Sequence, residues 1–220
     1  MGKALWSRVD SFVEEHVVRQ DQDLARALRN SAAASLPPIQ VGAAQGKLMG
    51  LLARLGNART ILEIGTLGGY STLWLAKALP ADGRLISMEI DPRHAAVARE
   101  NIAQAGLANR VSILEGVALE LLPRVAAQHP EGFDLFFIDA DKPNSPAYYD
   151  WAIRLTRPGS VIMVDNVIRD GALVAQKRDA SAEGVRQLLE TMGTDARVSA
   201  TVLQTVGSKG YDGFVLALRN

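Results

Sequence analysis

The sequence predicts an α/β fold, a mostly parallel sheet covered by helices on both faces with an antiparallel pair closing one edge. Three observations predict it. From residue 59 onward short apolar runs alternate with helical patterns. Near the end the pattern changes to two adjoining strand-like runs, "VSATVLQTV" and "FVLAL", joined by the glycine-rich "GSKGYDG". Finally, 220 residues without a Pro/Gly/Ser-rich linker can bury one sizeable core, so residues 1–220 read as one domain, with N-terminal helices over 1–56 and the α/β core over 57–220.

Each element has its own signal. Helices are expected over 3–18, over 21–33 with Asp21 as cap, and over 41–55, where Leu48, Leu51, Leu52 and Leu55 recur at helical spacing. Pro37-Pro38 separates the second from the third. Strands at 59–64, 84–90, 111–114, 134–138 and 160–164 then alternate with helices at 69–79, 92–105, 117–127 and 145–155. Asp91 before Pro92 reads as a helix N-cap with proline at the first helical position. Asp212-Gly213, in the tail, reads as a turn pair.

Composition excludes several function classes. Lys plus Arg and Asp plus Glu number 24 each, so no basic excess recommends a nucleic-acid partner. With no cysteine, disulfides, thiolate zinc sites and a thiol nucleophile are all ruled out. Lys3, Arg8, Asp10 and Glu14 interrupt any signal-peptide apolar run, which makes the cytoplasm the expected compartment, and no run approaches the ~20 apolar residues of a membrane span. His16, His94 and His129 have no carboxylate motif around them and read as ordinary residues. Ser71 lacks the G-x-S-x-G setting of a hydrolase nucleophile.

The stretch "ILEIGTLGGYSTLWLAKAL", residues 61–79, places three glycines between a strand and a helix, where open parallel sheets bind ligands. Its pattern, Glu63-x-Gly65-x-x-Gly68-Gly69, lacks the G-x-G-x-x-G spacing that seats a pyrophosphate, and Glu63 would repel phosphate while suiting an ammonium. Glu89, at the next strand end, can accept both hydroxyls of a ribose, and the small Gly116 and Ala118 after the third strand leave room for an adenine. In this chain order the features describe S-adenosylmethionine. Any of these residues alone would more simply be a structural turn or a solvated strand end.

The fourth and fifth strands deliver "DLFFIDADKPN" and "GSVIMVDNV". Asp139, Asp141, Asp165 and Asn166 fall at neighbouring strand ends and form a hard-oxygen set suited to Mg²⁺. Either Asp139 or Asp165 alone could equally be a cofactor contact or a helix cap. Lys142, three residues after Asp139, can act as a base where Mg²⁺ and partial burial favour its neutral form, or it can form a salt bridge to Asp141 or be a solvated loop lysine. Tyr148, Tyr149 and Trp151 either wall an acceptor pocket or belong to the core.

"LEIGTLGGYSTLWLA", "FFIDADKPNSPAYYDWA", "VIMVDNV" and "GSKGYDGF" resemble the cation-dependent catechol and caffeoyl-CoA type O-methyltransferases, particularly their small bacterial members, over about residues 35–220. The resemblance implies a Rossmann-like fold with a seven-stranded sheet, and methyl transfer from S-adenosylmethionine to one hydroxyl of a vicinal diphenol with Mg²⁺ or a similar cation. It also implies a homodimer, to which Leu5, Val9, Phe12 and Val13 on one helix face could contribute unless they cover the sheet. It assigns the metal to Asp139, Asp165 and Asn166 and the base to Lys142, with Asp139 beside it in the catalytic centre. The cofactor falls to Val41, Glu63, Gly65, Thr66, Ser71, Glu89, Ala118, Asp139 and Asp141. Plant members carry an aromatic residue and a glycine just past the second metal motif; here Val167-Ile168-Arg169-Asp170-Gly171 stands instead, which bears on the acceptor. The competing readings are an RNA hydroxyl methyltransferase on the same fold, a dinucleotide-dependent oxidoreductase and a non-catalytic adenosylmethionine sensor.

Overall fold

The structure, a computed structural model, describes residues 2–220. Helix α1 (Lys3–Val13) continues through one wider turn, Glu14–Val18, and stops where Arg19 adopts a left-handed conformation, φ 42°. Helix α2 (Gln22–Ala33) starts at Asp21, whose side chain accepts the N–H groups of Asp23 and Leu24, and α3 (Ala43–Leu55) follows the double proline. The alternating series is β1 (Thr60–Ile64), α4 (Tyr70–Ala78), β2 (Arg84–Glu89), α5 (Pro92–Gln104), β3 (Val111–Glu115), α6 (Ala118–Gln128), β4 (Phe133–Ile138), α7 (Ser145–Leu155) and β5 (Thr156–Asp165). Asp91 caps α5 through the N–H groups of Arg93 and His94, with Pro92 at the first helical position.

Helix α8 (Ala180–Thr194) has no counterpart in the sequence reading, although Asp179 caps it and Val185, Leu188 and Met192 bury one face. Strands β6 (Val198–Gly207) and β7 (Gly210–Arg219) complete the sheet. Their connection is Ser208-Lys209 alone, which corrects the expected seven-residue link: Asp212 and Gly213 lie inside β7 and not in a turn.

The strand order is β3-β2-β1-β4-β5-β7-β6. Strands β1 to β5 are parallel, and β7 runs against both β5 and β6, so the expected antiparallel pair closes this edge with its reversed strand one place in. The order reverses between β1 and β4, whose carboxyl ends open the crevice used for ligands in such sheets.

Side-chain alternation decides which face carries the chemistry. Leu62, Ile64, Phe136, Ile138, Ile162 and Val164 join one buried cluster with α6, α7 and α8. Ile61, Leu85, Leu135, Phe137 and Met163 join another with α2, α3, α4 and α5. Counting on by two from these residues, Glu63, Glu89, Asp139 and Asp165 all leave the sheet on the second face. The α1 stripe covers the sheet only in part: Val13 packs against the second cluster and the helix lies along β6, while Leu5, Val9 and Phe12 stay exposed.

Candidate active site at the carboxyl edge

The glycine turn is shaped first by its protein neighbours. At Gly65 (φ 97°) an added Cβ would lie 2.0 Å from the Asp139 carbonyl oxygen, and at Gly68 one would lie 2.0 Å from Ser31 Oγ. Gly69 needs its left-handed conformation (φ 80°) to start α4. These glycines let the turn pack between β4, α2 and α5, and the ligand surface is what remains above.

Glu63 lies beneath that surface. It is 0 % exposed, and its carboxylate accepts from Ser71 Oγ at 2.6 Å, Thr72 Oγ1 at 2.5 Å and Ser87 Oγ at 2.6 Å. Ser87 stands opposite Glu63 in the β1–β2 register, and Thr66 Oγ1 in turn lies 2.5 Å from Ser87 Oγ. Burial, with a smaller contribution from the charge of Asp139, pushes the Glu63 carboxyl up to about 7, against the three hydroxyl donors. Glu63, Thr66 and Ser71, the residues expected beside a ligand, also hold one another in place. Their polar atoms are turned on one another, and Glu63 offers a ligand its field from below.

Glu89 is 7 % exposed and grips the turn from the β2 side. Its Oε2 accepts from the N–H groups of Thr66 at 3.1 Å and Leu67 at 2.8 Å, and its Oε1 from that of Asp91 at 2.9 Å. Lone pairs remain for ribose hydroxyls, because two carboxylate oxygens offer about four acceptor sites. His94 Nδ1 stands 3.7 Å from Glu89 Oε1, a neighbour the sequence reading passed over. Gly116 has a positive φ of 141° and donates its N–H to the Glu89 carbonyl, Ala118 begins α6, and Val41 is buried ahead of α3.

On the β4 and β5 side the carboxylates have fewer partners. Lys142, 6 % exposed, donates to Asp139 Oδ1 at 3.2 Å. Its partner is Asp139 and not Asp141, so the alternative of a salt bridge to Asp141 is not realised. Asp141 is exposed and accepts from Asn144 Nδ2 at 2.6 Å and from the Tyr148 hydroxyl. Asp165, 5 % exposed, accepts the N–H of Asn166 at 2.9 Å. Burial first, and then the charge of Asp139, pushes the Asp165 carboxyl up to about 7, while Lys142 pulls it down. Asn166 is held left-handed, φ 54°, a strained backbone of the kind stored at functional sites.

Several supports have no short-range signal. An added Cβ on Gly184 of α8 would lie 2.3 Å from the Lys142 carbonyl oxygen, so α8 is seated directly on the Lys142–Asn144 turn. Asp212 Oδ1 accepts the N–H groups of Ile168 and Arg169, strapping the loop after β5 to the hairpin. Gln45 of α3 leans on Asp165, yet its Nε2 is buried without a hydrogen-bond partner of normal geometry. Tyr148 and Tyr149 are core residues, the second donating to Asp195, and Trp151 lies against Arg154. A cleft of about 210 Å³ lined by Arg19, Lys47, Arg54, Trp74 and Lys77 shares no residue with this constellation. Among the described residues no helix is long and apolar enough to cross a membrane.

The donor set fits a divalent cation. Asp139, Asp165 and the Asn166 amide supply hard oxygens at adjacent strand ends, and the raised Asp165 carboxyl together with the orphaned Gln45 Nε2 marks a site whose charge and hydrogen bonds are incomplete. No three His, Asp or Glu side chains cluster at metal-binding distance among the described residues, so a cation here would draw on the two carboxylates and the Asn166 amide.

A buried acidic turn at the switch point of a seven-stranded sheet, paired with a carboxylate–lysine cluster, defines a Rossmann-like group-transfer enzyme. The chain belongs to the O-methyltransferase family, whose profile matches residues 14–220. It is 52 % identical over 210 residues to a catechol O-methyltransferase of Mycobacterium tuberculosis, covering 96 % of this chain and 94 % of that one. An O-methyltransferase from Bacillus cereus, solved with S-adenosylhomocysteine, superposes with a TM-score of 0.97 at 46 % identity over 100 % of both chains. One from Streptomyces achromogenes involved in tomaymycin synthesis, solved with S-adenosylmethionine, gives 0.96 at 45 % identity over 100 % of this chain and 99 % of that one. The protein is an S-adenosylmethionine-dependent O-methyltransferase.

Proposed function

We propose that the acceptor is a vicinal dihydroxy aromatic of the catechol, caffeoyl or flavonoid kind, and that transfer depends on a divalent cation, Mg²⁺ or similar. The observation that carries this reading is Asp139, Asp165 and left-handed Asn166 at neighbouring strand ends with buried Lys142 against Asp139. A sensor that only bound adenosylmethionine would have no use for that cluster. When bound, S-adenosylmethionine supplies an electrophilic sulfonium methyl, and the cation, held by Asp139, Asp165 and Asn166, supplies charge that favours an ionised diphenol.

The chain's own residues do the rest. Glu63 sets a negative field under the turn that complements an ammonium–sulfonium ligand, and Glu89 offers acceptors to its ribose. Lys142 Nζ donates to Asp139 Oδ1 here. With the Asp139 oxygens engaged elsewhere and one ammonium proton passed to solvent, the free amine would take the phenolic proton, in the buried setting that suits a general base. Asp212 and α8 hold the two loops bearing these groups.

Methylation of a panel of catechols, caffeoyl conjugates and flavonoids with labelled S-adenosylmethionine tests the reading. Turnover should need a vicinal diol, stop with EDTA and return with Mg²⁺, whereas full activity after exhaustive chelation overturns the cation. We also propose a homodimer. The exposed stripe of Leu5, Val9 and Phe12 and the exposed Val202, Leu203 and Val206 of edge strand β6 support it, because a second copy would bury them. Sedimentation of a Phe12→Asp variant as monomer, with wild type as dimer, is the expected outcome.

A further inference from the structure

Lys209 takes no part in the steps above, yet it lies on the same edge and within the field of the same carboxylates. Strand β6 runs in the sense of β1 to β5, so the two-residue turn Ser208-Lys209 that follows it sits at the carboxyl edge with the active site. Lys209 Nζ donates to the Pro38 carbonyl oxygen at 3.2 Å, reaching across to the loop between α2 and α3 on the face where Asp139 and Asp165 emerge. An ammonium has three hydrogens to give, and Pro38 takes one. The residue is exposed overall, while surrounding protein atoms still disfavour its charge and the charges of Asp139 and Asp165 favour it. Lys142, by contrast, is buried and committed to Asp139.

Lys142 and Lys209 face the two negative charges of Asp139 and Asp165, while exposed Asp141 stands outside them, bonded to Asn144 and Tyr148. A divalent cation held by the carboxylates would leave this end of the site positive, and an ionised diol would offset only part of that excess. The remainder, carried by an accessible ammonium with free donors, calls for a second anionic group on the acceptor. We propose that Lys209 forms a subsite for a carboxylate substituent on the aromatic diol, so that the enzyme favours acidic diphenols over neutral ones. This inference rests on the acceptor class proposed above and adds a specificity to it.

Kinetics of Lys209→Met and Lys209→Arg on 3,4-dihydroxybenzoate and on catechol test it, the two acceptors differing in the carboxylate. Wild type should favour the acid, and that preference should weaken with ionic strength, as an accessible ion pair does. In Lys209→Met the ratio of kcat/KM for the acid over that for catechol should fall by about 10- to 100-fold, the scale of one hydrogen bond to a charged group, mostly through KM. Lys209→Arg should hold the ratio near wild type. An unchanged ratio in Lys209→Met, or an equal loss on both acceptors, overturns the subsite and leaves Lys209 as a strut to Pro38. If wild type binds S-adenosylhomocysteine but methylates neither compound, the acceptor class itself fails, and the subsite falls with it.

Discussion

Glu63 at the end of β1 and Asp165 at the end of β5 leave the sheet on the same face, two strands apart, and burial pushes both carboxyls up to about 7. Their surroundings differ. Glu63 sits in a closed hydroxyl network of Ser71, Thr72 and Ser87, whereas Asp165 has one backbone N–H, a second carboxylate facing it and an orphaned amide beside it. The first region is finished by the protein. The second is left with two facing carboxylates and few hydrogen bonds, and that incompleteness is where a cation and an ionisable acceptor can be recognised. The comparison breaks if the β5 region proves as self-sufficient as the β1 region.

The largest expected effect is therefore at Asp165. Asp165→Asn keeps the shape and removes one charge, and methyl transfer should fall by roughly 10³-fold, the several kcal/mol that a polarising cation contributes. Thermal unfolding gives a readout apart from turnover: Mg²⁺ should raise the Tm of wild type and leave that of Asp165→Asn unmoved. Next in size is Lys142→Met, expected to lower kcat by ~10² to ~10⁴-fold with S-adenosylhomocysteine affinity near wild type. The deficit should shrink as pH rises, since an acceptor that ionises unaided has less need of a base. A deficit that alkaline pH leaves intact, with weaker cofactor binding, would make Lys142 only the prop of its turn.

The finished region was the more legible of the two in the sequence. Caps such as Asp21 and Asp91-Pro92, the alternating series and the glycine turn are written in residues a few places apart, and local geometry realises them. What escaped depends on distant segments meeting. Glu63 carries no sign in the sequence of the hydroxyls of Ser71, Thr72 and Ser87 that converge on it. Asp212-Gly213 reads as a turn until the hairpin register places it inside β7, opposite Thr205 and Gln204. Gln45 and Gly184 carry no motif and matter only because α3 and α8 are packed against Asp165 and Lys142. Helix α8 does have an apolar period and a capping Asp179, so its omission follows from a polar lead-in and not from missing signal.

Glu89 sharpens the comparison from the cofactor side, because it belongs to the finished region and still has acceptor capacity. Glu89→Ala should weaken S-adenosylhomocysteine by about 1.5 to 3 kcal/mol in calorimetry, the scale of hydrogen bonds to a charged group. It should also lower Tm without any ligand, since the N–H groups of Thr66, Leu67 and Asp91 lose their acceptor. A fall in Tm with unchanged affinity would make Glu89 structural and remove the ribose assignment.

The smallest effect separates function from stability at Glu63. Its carboxyl in the folded chain lies near 7 against an ordinary value of 4.5, so between those limits the folded state binds more protons than the unfolded one. Stability is then highest below about 4.5, is lost as pH rises to about 7, and is flat above. Glu63→Gln keeps one acceptor oxygen, puts an NH2 donor in place of the other for a hydroxyl to accept, and removes the titration. Without ligand, the variant should therefore gain on wild type as pH goes from 5 to 8, by up to about 2.5 kcal/mol in denaturant unfolding. Asp165 titrates in the same range but is present in both proteins, so the difference isolates Glu63. S-adenosylmethionine should bind the variant more weakly, because the field beneath the turn is gone. A variant that is less stable than wild type at pH 8 would show that the hydroxyl network needs the charge for its own sake, and Glu63 would then serve the fold before it serves the ligand.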